Sequence, residues 1–318
     1  MATFVDPAGA VRLAPAGGPP VHARWLGRID YRAAHVLQKR LVDERASGRI
    51  EDQLLLLEHP AVLTLGKHSD PAHILAPEAE LAARGISVER IERGGEVTYH
   101  GPGQLVAYPI VRLHDRDLLL RPFVRALEAA LIHTCAALGV EAGRREGHPG
   151  CWCDPCGPEP RKIGALGLRI ERGVSYHGIA LNISVDLRDF ALIDPCGMPG
   201  VSSTSIAREL GYPDGPPTTA SVERAGWLFA EAFARANRSR WKARSTTVAT
   251  HQLVIGSLRS SKRPLAIALS RLRRGSVAPA ERRSPARTLR RTASPLVRRT
   301  PSSAVHPDIR ARGRSKSS

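Results

Sequence analysis

The last quarter of the chain differs so strongly in charge from the rest that the two parts cannot fold by the same means. Residues 237–318 hold 21 Lys and Arg but only 2 acidic residues, a net charge of +19. Residues 1–236 hold 26 basic and 28 acidic residues, a net charge of −2. A segment with few apolar residues and high net charge cannot offset the entropy lost on ordering. We therefore predict a disordered basic tail at 238–318, preceded by a core of single-domain size.

The basic tail leaves two interpretations open. An arginine-rich disordered segment can bind nucleic acid or anionic surfaces through charge alone, or it can be an extension without a selected function. Because the remainder of the chain is nearly neutral, the folded part itself gives no reason to expect nucleic-acid binding. A nucleic-acid-binding protein that works through its tail is kept as the alternative outside the enzyme class.

Helical patterns recur along the near-neutral part. Asp30 is placed to cap a helix that runs to about Ser47 and stops at Gly48. A second helix is predicted at about 122–138, and a third from about Ser221. The expected buried residues of these two helices are Val124, Leu127, Leu131 and Cys135, then Ala225, Leu228, Phe229, Ala232 and Phe233.

Strand patterns alternate with these helices, so the sequence predicts an α+β fold. Strands are expected at 53–58 and 62–66, and Lys162 opens another β-like run. Apolar residues alternate with small or polar ones from Ile179 to Asp186, which is typical of a half-buried strand.

Cys196 lies in the segment Ile193-Asp194-Pro195-Cys196-Gly197-Met198-Pro199-Gly200. A cysteine needs a nearby cation to become a thiolate near neutral pH, and Lys162 is the candidate cation. Pro195 restricts the backbone, while Gly197 allows close approach of a substrate carbonyl and offers its N–H to developing negative charge. The segment is thus suited to a thioester-forming nucleophile. Taken alone, however, a Pro-Cys-Gly tripeptide is more typical of a buried structural cysteine in a turn.

A glycine-dense segment, Arg93-Gly94-Gly95-Glu96-Val97-Thr98-Tyr99-His100-Gly101-Pro102-Gly103-Gln104, leads into an apolar strand. Glycine weakens a strand and marks places where the backbone bends or approaches a ligand closely. Individually, His100 and Arg93 are compatible with a structural histidine and a surface ion-pair partner. Together with the glycines they indicate the wall of a substrate pocket.

Four blocks carry a family resemblance: RGGEVTYHGPGQLVAYPI (93–110), KIGALGLRI (162–170), SYHGIALNISVDL (175–187) and IDPCGMPG (193–200). They resemble, in order and spacing, the motifs of the lipoyl(octanoyl) transferase, or lipoate-protein ligase B, family. The match runs from about Arg24 to about Asn237. It implies a biotin/lipoyl protein ligase-like domain at 24–237, with a mixed sheet flanked by helices, after an N-terminal extension at 1–23.

The resemblance also implies roles for residues at matching positions. Cys196 would be the acyl-thioester nucleophile, and Lys162 would lower its pKa or shuttle its proton. His59 and His177 are further pocket candidates. The implied substrate-binding residues are Arg93, Gly94, Gly95, Glu96, Val97, Thr98, Tyr99, His100, Ala165, Leu166, Gly167, Gly178, Ile179 and Ala180.

The implied reaction transfers an octanoyl group from octanoyl-acyl carrier protein to a lysine of lipoyl domains. Acceptors would be the lipoyl domains of 2-oxoacid dehydrogenase E2 subunits and the glycine cleavage H protein. Exchange of one thioester for another needs no nucleotide, so no cofactor is expected. The alternative within the fold superfamily is an ATP-dependent lipoate or biotin ligase, which has no need for a nucleophilic thiol such as that of Cys196.

The remaining signals concern metal and compartment. Cys151, Cys153 and Cys156 lie beside His148, but this run lacks the second ligand pair of most structural zinc sites, so no metal is expected. Five cysteines without a secretory signal favour reduced thiols. No apolar run approaches the length of about 20 residues that spans a bilayer, so a cytoplasmic location is expected without membrane association.

Overall fold

The computed structural model describes residues 3–5, 9–14, 19–194, 201–212 and 221–236. Cys196 and the whole predicted tail, 238–318, lie outside the described residues. The disorder predicted for the tail therefore stays a prediction.

A mixed sheet of ten strands organises the described part of the chain. Strand β3 pairs in parallel with β4, and β13 in parallel with β11, whereas the other neighbours are antiparallel. The strands are β1 Thr3–Val5, β2 Val11–Leu13, β3 Val21–Arg28, β4 Asp52–Glu58, β5 Val62–Leu65, β6 Ser87–Arg90, β7 Thr98–His100, β8 Gln104–Ile110, β9 Gly143–Arg145, β10 His148–Cys153, β11 Arg161–Glu171, β12 Val174–Asn182 and β13 Ser202–Ser203. Their order across the large sheet is β1-β2-β3-β4-β8-β12-β11-β10-β9, and a smaller sheet has the order β6-β5-β7.

Helices flank the large sheet, as the α+β prediction required. The helices are α1 Tyr31–Ala46, α2 Glu78–Ala83, α3 Leu120–Ala137, α4 Ile206–Glu209 and α5 at 221–236. The predicted cap of α1 is confirmed, because Asp30 Oδ1 accepts a hydrogen bond from the Ala33 amide at 3.0 Å. The helix ends where Gly48 takes a φ of 75°, a left-handed conformation that glycine adopts without steric cost.

The two faces of the large sheet pack against different helices. Alternate residues of a strand point to opposite faces, and the buried side chains divide accordingly. One cluster joins Leu54, Leu105 and Leu181 to α3 and α5. The other joins Leu55, Val106 and Ala180 to α1. We call these the α3/α5 face and the α1 face.

This double coverage overturns the prediction of a half-buried strand at 179–186. Strand β12 begins earlier, at Val174, ends at Asn182, and is buried at every position. A strand covered on both faces does not need a polar side. In α3 the predicted buried residues Leu127 and Leu131 are fully buried, whereas Val124 is only partly buried and its neighbour Phe123 is fully buried instead. Cys135 lies in the core as predicted.

No helix in the described ranges is long and apolar enough to cross a membrane.

Candidate active site

The two apolar tripeptides of the predicted pocket lie directly opposite each other. In the antiparallel pair of β11 and β12, Ala165 faces Ala180, Leu166 faces Ile179, and Gly167 faces Gly178. Directly opposed residues point to the same face of a sheet. The two small pairs, Ala165–Ala180 and Gly167–Gly178, therefore share the α1 face, while Leu166 and Ile179 pack toward α3 and α5.

At the two glycines of this wall there is no room for even a methyl group. A Cβ on Gly167 would lie 2.9 Å from both the Arg93 side chain and the Gly94 carbonyl oxygen. A Cβ on Gly178 would collide with the Ala107 carbonyl oxygen and lie 2.7 Å from the ring of Pro109. Both glycines are thus required by close packing of the backbone and of Arg93.

A cavity of about 480 Å³, counting its open mouth, lies on the α1 face against this wall. Most of the substrate-binding residues expected from the sequence line it, and His177 joins them. The lining residues are Tyr31, Arg93, Gly95, Glu96, Val97, Thr98, His100, Tyr108, Ala165, Leu166, Gly167, His177, Gly178, Ile179 and Ala180.

Five positions differ from the sequence expectation. Gly94, Tyr99 and His59 do not line the cavity. The Tyr99 ring packs edge-on against Phe190 in a separate core cluster, so the alternation of β7 points it away from the cavity. His59 lies behind the cavity wall. Tyr31 and Tyr108 line the cavity and were not expected, because a tyrosine in an apolar helix or strand carries no local signal of a pocket.

Arg93 is anchored rather than free to swing. Its Nη2 donates to the carbonyl oxygen and hydroxyl of Thr64 at 2.7 and 2.9 Å, and its Nη1 donates to the Gly94 carbonyl at 3.1 Å. The side chain is 7% exposed, so these hydrogen bonds compensate for removing a charge from water. The arrangement holds a fixed positive charge at the edge of the cavity.

Hydrogen bonds fix the tautomer of the buried His59. Its Nδ1 lies 2.8 Å from the Ile29 carbonyl oxygen, which can only accept, so Nδ1 carries the proton. Its Nε2 then accepts from the Tyr108 hydroxyl at 2.8 Å. Burial lowers the pKa of His59 to about 4, which keeps the ring neutral near pH 7. The ring therefore orients the hydroxyl of Tyr108 behind the cavity wall.

A second neutral histidine, His100, faces the cavity from β7. Its Nδ1 donates to Gln104 Oε1 at 2.7 Å, and the Gln104 amide donates to Asn182 Oδ1 and the Tyr99 carbonyl, which fixes the orientation of that amide. Burial lowers the pKa of His100 to about 3. The ring therefore keeps an unprotonated Nε2, which is suited to accept a hydrogen bond.

Lys162 lies near the cavity but does not line it. It precedes Ala165 by three residues on β11, about 10 Å along a strand. The side chain is 8% exposed, and its Nζ lies 5.3 Å from the centre of the Trp152 ring. Lys162 pairs in parallel with Ser203 of β13.

Cys196 itself falls in the segment 195–200, outside the described residues. The described residues on either side are held by backbone pairing. Before it, the Asp194 amide donates to the His73 carbonyl at 2.8 Å. After it, Ser203 lies beside Lys162. The chain thus returns to the lysine seven positions after the cysteine.

The three clustered cysteines do not converge on one point. Cys151 and Cys153 are buried on β10, and Cys156 is exposed. Cys151 Sγ lies 4.0 Å from Cys135 Sγ, and this contact together with burial raises the pKa of Cys151. Within the described ranges, the group of side chains that could hold a metal ion contains His35, Glu92 and His177 and none of the cysteines.

Comparison with known proteins agrees with this geometry. Residues 30–233 match the family model described as the lipoyl protein ligase A/B catalytic domain. The octanoyltransferase of Acidobacterium capsulatum is 49% identical over 193 residues, covering 58% of this chain and 78% of the relative. The octanoyltransferase of Chloroflexus aurantiacus is 46% identical over 211 residues, covering 66% of this chain and 92% of the relative.

Solved structures agree at the level of the fold. LipL1 of P. falciparum, solved in complex with lipoate, has a TM-score of 0.51 at 12% identity, covering 69% of this chain and 64% of that one. The mixed sheet flanked by helices thus has the lipoyl protein ligase-like architecture. This chain belongs to the lipoyl protein ligase A/B catalytic-domain family. Within that family it is an acyltransferase, similar to the curated octanoyltransferases.

Proposed function

We propose that this chain transfers an octanoyl group from octanoyl-acyl carrier protein to a lysine of lipoyl domains, through a thioester on Cys196. The observation that carries the proposal is the wall of β11 and β12, where the small Ala165–Ala180 pair borders an open cavity on the α1 face and Arg93 packs against Gly167. The names of the relatives support the octanoyl group. Acceptors would be the lipoyl domains of 2-oxoacid dehydrogenase E2 subunits and the glycine cleavage H protein.

The proposed reaction has two steps that balance without a further reactant. The Cys196 thiolate attacks the thioester carbonyl carbon, and the carrier leaves as a thiolate that takes up a proton. The acceptor lysine amine then attacks the carbonyl of the acyl-enzyme. An amide forms, the amine loses a proton, and the Cys196 thiol is restored. Lys162 is proposed to stabilise the thiolate and to move the proton between these steps.

The cavity suits a linear acyl chain. Burial of each methylene against an apolar wall contributes roughly 0.8 kcal/mol. Ala165 and Ala180 provide apolar contacts, while His100 Nε2 and the anchored Arg93 lie at the polar part of the lining. We place the acyl tail along the small-residue wall and the thioester toward Lys162. This scheme needs no activation of the acyl group by a nucleotide. The relatives at 46–49% identity are named as transferases, which favours acyl transfer from a thioester over an ATP-dependent ligase.

Intact mass spectrometry after incubation with octanoyl-acyl carrier protein tests the proposal. We expect one octanoyl adduct on the wild type, removed by hydroxylamine, and none on Cys196→Ala. The matched control is Cys156→Ala, which removes an exposed thiol and should leave the adduct in place. An adduct located on Cys156, or undiminished transfer to a lipoyl domain by Cys196→Ala, would show that the nucleophile is wrong.

The role of Lys162 has its own test. In Lys162→Ala the rate of Cys196 alkylation by iodoacetamide should rise only at higher pH than in the wild type. Lys162→Arg should be a poor substitute, because Arg keeps the charge but cannot give up its proton. The exposed Lys67→Ala is the control. An unchanged rate–pH profile in Lys162→Ala would remove the lysine from the mechanism.

We also propose the domain division at 1–23, 24–237 and 238–318. Removal of 239–318 should leave kcat nearly unchanged, because every proposed site residue precedes it. The tail's charge of +19 can attract an acidic carrier protein at low salt. Any fall in kcat/KM on truncation should therefore vanish at high ionic strength. A salt-independent loss of kcat in the folded truncation would show that the tail completes the site.

A further inference from the structure

Three potential metal ligands converge beside the cavity. His35 on α1, Glu92 between β6 and β7, and His177 on β12 each bring one ligand atom within 4.8 Å of the others. His35 Nε2 lies 3.1 Å from Glu92 Oε1. The rings of His35 and His177 stack with centroids 5.5 Å apart. Elements distant in sequence thus place two imidazoles and one carboxylate around one point.

The buried ring of His177 has no hydrogen-bond partner for either of its nitrogens among the described residues. The residue is 1% exposed. Its main chain is nevertheless fixed, because its amide donates to Gln38 Oε1 at 2.8 Å while its φ is 54°, a left-handed conformation uncommon for a non-glycine residue. An imidazole has one donor and one acceptor, and an interior position that satisfies neither is unfavourable. A bound ion would use the nitrogen lone pair.

We propose that His35, Glu92 and His177 bind one divalent transition-metal ion, with Zn²⁺ as the best fit. Two imidazoles and a carboxylate are a ligand set that Zn²⁺ uses with a further position open for water or substrate. Mg²⁺ and Ca²⁺ prefer oxygen ligands and are poorly served here. This site goes beyond the octanoyl transfer proposed above and does not depend on Cys196.

The observed spacing suits such an ion after a small rearrangement. Tetrahedral bonds of about 2.0–2.1 Å place neighbouring ligand atoms about 3.3 Å apart, and the His35–Glu92 separation is already close to this value. The wider separation to His177 must shorten. The His35 side chain is 26% exposed, so it has room to turn toward the buried ring of His177.

A hydrogen-bonded chain outside the cluster orients the carboxylate. The Tyr176 hydroxyl lies 3.0 Å from Glu92 Oε1 and 3.2 Å from Glu171 Oε2, and Lys39 pairs with Glu171. Partners of this kind hold a ligating carboxylate in place and raise metal affinity. Because His177 also lines the cavity, an ion held here would fix the orientation of one cavity residue.

Titration of the untagged, chelator-treated full chain with Co²⁺, followed by competition with Zn²⁺, tests the proposal. We expect one equivalent of Co²⁺ to give visible d–d absorption without a thiolate charge-transfer band, and Zn²⁺ to displace it. His35→Ala and Glu92→Gln should abolish this binding. Tyr176→Phe should weaken it about tenfold. His114→Ala is the control, because the His114 side chain is 96% exposed and outside the cluster, and it should bind as the wild type does.

Each contrary result is distinguishable. Absence of saturable Co²⁺ binding in the wild type would overturn the site and indicate that a water molecule satisfies His177. A thiolate charge-transfer band would assign binding to the cysteines instead. Binding unaltered in both His35→Ala and Glu92→Gln would likewise overturn it. Circular dichroism of each variant establishes that lost binding is not lost folding, and Glu92→Gln keeps the side-chain shape should His35→Ala unfold.

Discussion

The two faces of the large sheet are both buried, yet they are built from different kinds of residue. On the α3/α5 face, the aromatic rings of Phe123, Phe229 and Phe233 pack against aliphatic side chains. On the α1 face, small residues of β11 and β12 adjoin buried histidines and tyrosines. Burial alone therefore does not distinguish a core from a site; the size and polarity of the buried side chains do.

The polar residues of the α1 face are also organised in a way that packing does not require. His59 and Tyr108 form one hydrogen-bonded pair, and His100 and Gln104 form another. The Ile29 carbonyl fixes the tautomer of His59, and the oriented Gln104 amide fixes that of His100. Such arrangements cost stability unless every group is satisfied, and a purely structural face has no need of them. The following predictions contrast the faces, in decreasing order of expected effect.

The largest effect is expected on the α3/α5 face. Phe123→Ala should lower the free energy of unfolding by about 3–5 kcal/mol, because it leaves a cavity in a fully buried cluster. The kcat of the folded fraction should stay near the wild-type value. Urea denaturation and active-site-titrated turnover measure the two quantities. A folded Phe123→Ala protein with greatly reduced kcat would contradict the separation of the faces.

Gly167→Val should change substrate choice as well as stability, because no side chain fits at Gly167 unless Arg93 and the Gly94 carbonyl move. Its side chain would push against Arg93 and narrow the cavity, so octanoyl transfer should lose about 1–3 kcal/mol in kcat/KM. Competition between C6 and C8 carrier substrates should shift toward C6. The matched control is Ala130→Val, which overpacks the α3/α5 face and should leave the C6/C8 ratio unchanged. An unchanged ratio in Gly167→Val would place the acyl chain elsewhere.

Tyr108→Phe probes the pair behind the cavity wall. The change leaves the buried His59 Nε2 without its donor, which should cost about 1–2 kcal/mol of unfolding free energy. Denaturant unfolding measures it. Tyr212→Phe, at a residue that is 65% exposed, is the control and should be neutral. Equal stability of Tyr108→Phe and wild type would mean that the hydrogen bond contributes nothing.

The smallest effect concerns pH. Because burial lowers the pKa of His59 to about 4, the unfolded chain, whose histidines titrate near about 6.5, binds more protons between these values. Stability therefore rises with pH through this window, and His59 alone should remove about 1 kcal/mol between about pH 6.5 and 5.5. His59→Gln should flatten the slope of unfolding free energy against pH, unlike the exposed control His133→Gln. An identical slope in His59→Gln would show that another group governs it.

The sequence allowed much of the α1 face to be predicted. Glycine density pointed to 93–104, and the family motifs pointed to 165–167 and 178–180, most of which line one cavity. Glycine and short polar motifs are local signals, so they can be recognised without knowing the fold. The position of α1 was equally local, since it depends on the Asp30 cap and on Gly48.

What could not be predicted depends on contacts between distant segments. The exact opposition of Ala165–Ala180 and Gly167–Gly178 is a matter of register, which periodicity does not fix between strands. The burial of β12 on both sides required knowing that helices cover both faces. Tyr31 and Tyr108 join the cavity only through the meeting of α1 with β8, which no local pattern records.

The small-residue wall also makes the cavity easier to narrow than to widen by substitution. Gly167 and Gly178 accept no side chain without moving their neighbours. Ala165 and Ala180 carry the smallest side chain that has a Cβ, so a larger residue at either alanine takes space away from the cavity. Variants at these two positions can thus evolve toward shorter acyl chains by single steps. Accommodation of longer chains must instead begin at a larger lining residue such as Tyr108, whose replacement also removes its hydrogen bond to His59. Under the proposed function, drift in chain-length specificity would be easier in one direction than in the other.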